Sequence, residues 1–160
     1  MAGTTIPDAL SPLRGEPGRF VDPQGDPLER SRRANRRILV GFAVAVQAAR
    51  RGSFGVAALA IARCTAQLHD VQRLDALHLY PAIARRFADD VETTAAVAAM
   101  RRDANAHARH FLRLVDGLFT RARPGMPPPE VLAEAEQALS AYLAGKESQL
   151  YRFYGLAVHR

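Results

Sequence analysis

Four long segments of this chain carry apolar residues at helical spacing; Gly52 follows the first, and the proline-rich stretch "RPGMPPP" (123–129) separates the last two. We expect helices at about 28–50, 53–87, 89–122 and 129–158. Pro81 falls inside the second segment, where it is expected to kink or interrupt the helix. Each segment has one apolar face, such as Leu39, Phe42 and Val46 in the first. The sequence therefore predicts an all-α fold, an antiparallel four-helix bundle.

The N-terminal stretch 1–27 differs in composition from the rest of the chain. It contains five of the ten prolines and four of the eleven glycines, which disfavour both helix and strand. We therefore predict an extended, flexible arm at 1–27 and one bundle domain at 28–160.

The cysteine content and the lack of targeting signals bear on the compartment. Cys64 is the only cysteine in the sequence, so no internal disulfide can form, and a reducing compartment fits. The N-terminal stretch shows no signal-peptide pattern, and no apolar run approaches membrane-spanning length. A cytoplasmic protein without a membrane partner is the expectation.

The formal net charge of +6 comes almost entirely from arginine. Part of it forms a basic patch on the first helix: Arg30, Arg32, Arg33, Arg36 and Arg37. Such a patch can meet nucleic acid, an acidic partner or an anionic ligand. Nucleic acid is possible but not favoured, because no aromatic residues that could stack on bases interleave with these arginines.

The second and fourth segments share one pattern. "VQRLDALHLY" (71–80) corresponds to "YLAGKESQLY" (142–151) at an offset of 71, and both end in a Leu-Tyr pair. The first and third segments also match at an offset of 72, which sets Asn35 against His107. We interpret the chain as two helical hairpins built on one plan.

Polar residues occupy several of the matched positions and continue the apolar faces. Burying such groups costs a few kcal/mol each unless other groups satisfy them. We therefore expect them to meet in the middle of the bundle as one polar cluster: Asn35, Asp75, His107, Tyr142 and Lys146.

This plan resembles the hemerythrin-like family, whose four-helix bundles hold a non-haem di-iron centre. The family pattern has a His on the first helix and a His-x-x-x-Glu ahead of a Leu-Tyr-Pro or Leu-Phe-Pro motif, repeated in the second hairpin. "RRANRRILVGF", "LHDVQRLDALHLYPAI", "RRDANAHARHFLRLVDGL" and "AYLAGKESQLYRFYGLA" are similar to its four helices. The resemblance implies that His107 retains a ligand position. The other ligand positions would hold different residues: Asn35, Val71, Asp75, Tyr142 and Lys146.

These replacements predict loss of the standard di-iron centre and hence no cofactor. Val71 cannot coordinate a metal, and a charged Lys146 would repel a cation. We prefer an ion pair between Asp75 and Lys146 in place of the metal, because the two residues occupy matched positions and carry opposite signs. The alternative is a rebuilt site, with iron as the candidate metal, from Asp75, His78, His107 and His110.

Three functions follow as expectations. The preferred one is a non-enzymatic regulatory or protein-interaction bundle with an unidentified protein partner. The second is a divergent metal-binding or oxygen- or redox-sensing protein that uses the rebuilt site. The third is a basic nucleic-acid or anionic-ligand binder that uses the arginine patch.

Overall fold

The structure, a computed structural model, describes residues 25–119 and 128–159. Most of the arm predicted at 1–27, and most of the connection around 123–129, lie outside the described residues. The described chain is all-α, as predicted, and contains these helices: α1 Pro27–Arg50, α2 Phe54–Leu74, α3 Tyr80–Arg86, α4 Val91–Phe119, α5 Pro129–Gly145 and α6 Tyr151–Val158. Two π-helical segments join α2 to α3 and α5 to α6: Asp75–Leu79 and Lys146–Leu150.

Both ends of α1 are set by local chemistry. The side chain of Asp26 accepts a hydrogen bond from the backbone N–H of Leu28, and Pro27 occupies the first turn, where no N–H is needed. At the other end Gly52 adopts a φ of 74°, and the N–H of Ser53 bonds back to the carbonyl of Ala48. This is the Schellman pattern, and it turns the chain directly into α2.

The helices pack in pairs around a shared interior. α1 packs mainly on α2, α4 mainly on α5, and α3 on α6. One apolar cluster draws on all four long helices, with Ile38, Leu68, Phe111 and Leu139 fully buried in it. A second apolar cluster lies around α3 and α6.

The buried face of α2 and α3 recurs on α5 and α6 at a constant offset of 71. Seven buried positions follow this offset: Ile61, Cys64, Leu68, Val71, Asp75, Leu79 and Ile83 correspond to Leu132, Ala135, Leu139, Tyr142, Lys146, Leu150 and Tyr154. The first residues of the two π-helical segments, Asp75 and Lys146, are one of these corresponding pairs. The internal repeat between the second and fourth segments is therefore visible in both burial and backbone geometry.

The π-helical segments refine the expected effect of Pro81. The helix is not broken there; it widens by one residue at Asp75–Leu79, and Pro81 falls in the first turn of α3. The second π-helical segment forms without a proline at the equivalent position, which is Arg152. Proline is therefore not needed for this widening.

The match between α1 and α4 differs from the expected one by a single position. Asn35, Ile38 and Phe42 are buried, and the buried positions on α4 correspond to them at an offset of 73 rather than 72: Ala108, Phe111 and Val115. Leu39, expected on the apolar face, is 45% exposed. A shift of one position rotates a helical residue by about 100° around the helix axis. The position equivalent to Asn35 is therefore Ala108 and not His107.

No helix in the described ranges is long and apolar enough to cross a membrane.

A buried charge cluster and an arginine-rimmed groove

The centre of the bundle holds the ion pair expected from the matched positions. Nζ of Lys146 lies 2.6 Å from Oδ2 of Asp75, and the two residues are only 2% and 3% exposed. Each begins one of the two π-helical segments. Along the chain, both follow residues of the first apolar cluster (Val71 and Tyr142) and precede residues of the second (Leu79 and Leu150). The pair therefore lies in the interior, between two apolar regions.

Three further side chains complete this charge cluster. Lys146 donates from Nζ to Oγ of Ser31 at 3.1 Å and to Oδ1 of Asn35 at 3.3 Å. Ser31 donates to Oδ1 of Asp75 at 2.8 Å. Its single proton is then used, so the 2.7 Å contact with Tyr151 has the tyrosine hydroxyl as donor. Asn35 donates from Nδ2 to the Tyr151 oxygen at 2.6 Å.

These bonds use the full donor capacity of the ammonium group. Lys146 has three protons, and they go to Asp75, Ser31 and Asn35. The rings of Tyr142 and Tyr151 lie nearby, each with its centroid 5.5 Å from Nζ. Among the described residues no buried side-chain nitrogen or oxygen lacks a hydrogen-bond partner. The cluster is therefore closed by groups of this chain alone.

Burial works against both charges of the pair. Loss of hydration raises the pKa of Asp75 above its usual 3.8, although the charge of Lys146 acts in the opposite direction. Loss of hydration likewise lowers the pKa of Lys146 from 10.5, opposed by Asp75. The pair thus resembles other buried ion pairs, in which mutual attraction offsets desolvation without a large net gain.

His107 does not join this cluster. Its side chain is exposed, and the buried position on α4 is the next residue, Ala108. The expected placement was wrong because the offset between α1 and α4 is 73 and not 72. His107 instead stands at the rim of a small cavity of about 160 Å³, whose walls include Tyr80, Tyr142 and Lys146.

The residues proposed for a rebuilt metal site are not brought together. Asp75 is occupied by Lys146 and Ser31, His78 is exposed, and His110 lies 2.9 Å from Glu134 at the surface. No group of three or more His, Cys, Asp or Glu side chains within the described ranges could hold a metal ion. At the position where the family resemblance implies di-iron, the central group is an ammonium. This donor set does not fit a metal.

The five arginines of the predicted basic patch have different surroundings. Arg32 turns toward acidic residues and lies 3.3 Å from Glu29 and 2.9 Å from Glu147. Arg33, Arg36 and Arg37 line a groove of about 510 Å³ between α1 and α2. Arg63 of α2, which was not part of the predicted patch, lines the same groove. Arg30 is not among the residues that line this arginine-rimmed groove.

The floor of the groove is apolar and closely packed. Val40, Gly41 and Val44 of α1 line it together with Ala60 and Cys64 of α2. A Cβ atom on Gly41 would lie 2.9 Å from Sγ of Cys64, so the glycine allows the two helices to approach. The thiol is fully buried, and burial raises its pKa to about 11.

The sequence reasoning missed Ser31 and Tyr151. Ser31 lies one turn before Asn35 on the same face, and continuing the buried stripe from Ile38 back through Asn35 would have included it. Tyr151 was interpreted only as part of the Leu-Tyr pair. Its hydroxyl is an essential part of the cluster, because it joins Ser31 to Asn35.

Comparison with protein-family models, with curated proteins and with solved structures finds no match to this chain.

Proposed function

We propose that this protein is a metal-free, non-enzymatic interaction bundle of hemerythrin-like, antiparallel architecture, with a regulatory role exercised through a protein partner. The observation that carries the proposal is the arginine-rimmed groove, an exposed surface that combines apolar and basic side chains. Apolar side chains next to arginines are a common composition of protein–protein interfaces.

The interior supports the metal-free part of the proposal. An iron centre needs imidazole and carboxylate ligands around a cation. The equivalent position here has a lysine whose charge is matched by Asp75 and whose protons are all used within the cluster. The cluster can hold the helices in register, a role that buried polar groups have in other bundles.

The groove supports the interaction part. Val40 and Val44 are 65% and 48% exposed and lie one turn apart on α1. Val56 and Leu59 are also exposed, one turn before Ala60 and Arg63 on α2. A monomer gains nothing from leaving these side chains in water, whereas a partner that covers them removes apolar surface from water at about 25 cal/mol per Å².

A site-specific crosslinking experiment tests the interaction. A photo-reactive amino acid replaces Val44 in the full chain expressed in its native cells, and a second version carries it at Val91, which is 82% exposed on α4. We expect one discrete adduct from the Val44 version and none from the Val91 version. The crosslinked protein is then purified separately and titrated against wild type, Val44→Asp and Val91→Asp.

Two results would overturn the proposal. The interaction role fails if the Val44 version gives no discrete adduct, or if Val44→Asp binds the purified partner as tightly as Val91→Asp does. The metal-free role fails if protein purified without chelators contains two irons per chain and shows iron-dependent visible absorption.

A further inference from the structure

The arginine-rimmed groove has the geometry of a binding site for one further helix. Arg36, Val40 and Val44 follow one another at every fourth position along α1, which makes a straight stripe of about 12 Å. Arg33 and Arg37 are related in the same way, and Arg63 stands on α2. The groove therefore presents the aliphatic side chains of Val40 and Val44, with three arginines before them on α1 and Arg63 on α2.

The four arginines of the groove carry unbalanced charge. Within the described ranges Arg33, Arg36, Arg37 and Arg63 are in none of the ion pairs, and no acidic residue lines the groove, although Arg36 also borders a neighbouring cavity beside Glu29 and Glu147. Arg32, on the same helix, pairs with acidic residues on both sides. Like charges one turn apart on a helix, as at Arg33 and Arg37, repel each other and destabilise the helix slightly. An acidic partner would remove this repulsion and supply the missing counter-charge.

We propose that the groove binds an acidic amphipathic helix of a protein partner. Its apolar face would cover Val40 and Val44, and its carboxylates would meet the surrounding arginines. Laying an amphipathic helix in an apolar groove is a recurring mode of recognition. This inference rests on the proposed interaction function and names the kind of partner segment.

Protein fits the groove better than nucleic acid does. Single-stranded nucleic acid binds through aromatic side chains that stack on bases, and none lines the groove. The apolar part of its lining, which includes Val40, Val44 and Ala60, offers no side-chain hydrogen bonds to bases. The concave, aliphatic surface between two helices suits the side chains of a third helix.

The probe is a synthetic peptide of about 18 residues, five helical turns, with leucines at helical spacing and glutamates on both flanks. The comparison peptide has lysine at every glutamate position. Binding to the full chain is followed by fluorescence anisotropy at physiological salt. We expect saturable binding of the glutamate peptide and at least a tenfold weaker response to the lysine peptide, because like charges across an interface oppose association.

Charge-matched variants locate the binding. The double variant Arg33→Glu/Arg37→Glu reverses two groove charges, and Arg85→Glu/Arg102→Glu makes the same change in net charge at exposed positions on α3 and α4. We expect the first to weaken peptide binding at least tenfold and the second to change it less than twofold. Val44→Asp and its control Val91→Asp test the apolar contact in the same way. Circular dichroism checks that every variant is folded.

Several results would overturn the inference. The first is that the glutamate peptide does not bind saturably. The second is that the two charge-reversed variants bind the peptide equally well. The third is that duplex DNA or phosphatidylserine vesicles bind more tightly than the peptide and that this binding is lost in Arg33→Glu/Arg37→Glu. If the peptide fails while a purified partner still depends on Val44, the helix inference is wrong and the interaction function stands. If the peptide binds in the groove but no cellular protein crosslinks there, the interaction function is wrong.

Discussion

Removing one charge of the buried pair should cost much more stability than removing both. Lys146→Met keeps the length of the side chain and removes the ammonium, which leaves the carboxylate of Asp75 with Ser31 as its remaining partner. Asp75→Leu leaves the ammonium without its counter-charge. Breaking a buried pair in this way costs about 3–5 kcal/mol, because the remaining charge is desolvated and uncompensated. We expect each single variant to lose stability in that range.

The double variant Asp75→Leu/Lys146→Met should recover most of that loss. No charge remains to be desolvated, and replacing buried pairs by apolar side chains of similar volume often stabilises by about 1–4 kcal/mol. Tyr151 still joins Ser31 and Asn35, but Oδ1 of Asn35 loses its donor, at a cost of about 1–3 kcal/mol. The two effects are similar in size, so the double variant should lie within about 2 kcal/mol of wild type.

Urea unfolding followed by helical circular dichroism gives the free energy of unfolding of wild type, the two single variants and the double variant. The exposed pair Arg32–Glu147, at 2.9 Å, is the control. Its own cycle, with Arg32→Met and Glu147→Leu, should give a coupling below about 1 kcal/mol, because solvent screens exposed pairs. The reasoning is refuted if the losses at Asp75 and Lys146 simply add, or if Lys146→Met alone costs less than about 1 kcal/mol.

Three further predictions concern pH, the tyrosine hydroxyl and the helix contact. Because burial raises the pKa of Asp75 and lowers that of Lys146, each single variant should gain stability relative to the apolar double variant when its remaining charge is neutralised, Lys146→Met as pH falls toward 3.8 and Asp75→Leu as pH rises toward 10.5; a pH-independent difference would contradict this. Tyr151→Phe should cost about 1–3 kcal/mol, because Asn35 loses its acceptor, whereas Tyr154→Phe, which removes no hydrogen bond seen in the described structure, should cost markedly less in the same urea titration. Gly41→Ala should destabilise by about 1–3 kcal/mol through its contact with Sγ of Cys64, and thermal unfolding should show a much smaller loss for the same change in a Cys64→Ala background.

The ion pair could be predicted from the sequence because its two members occupy matched positions with opposite charge. The burial of Asp75 and Lys146 followed from the apolar faces on which they lie, and helical periodicity is the most dependable signal in a single sequence. The all-α class followed from the same signal. The basic patch on α1 was likewise visible, although only the structure separates the arginines of the groove from Arg32.

The details that could not be predicted depend on single positions of register. His107 was placed inside because the α1–α4 offset was taken one position short, and Leu39 carried the same error. An error of one position changes little in the prediction of an apolar face, because apolar residues are frequent along it. For a single polar residue such as His107, the same error decides whether the side chain is placed in the core or in solvent. The π-helical segments were also not foreseen. A π-turn adds one residue to a helix and leaves no composition signal, so Pro81 was the only visible mark of irregularity.

The opposite charges at the two matched positions also bear on which halves of the chain can assemble. Helical repeats of one plan can exchange between molecules, so that two identical halves pack together instead of two different ones. Two copies of the half containing α1 and α2 would set Asp75 against Asp75, and two copies of the other half would set Lys146 against Lys146. Like charges in a buried site cannot both remain ionised. Only the combination of one half of each kind neutralises the interior, so the cluster favours correct pairing of the halves over exchange between molecules.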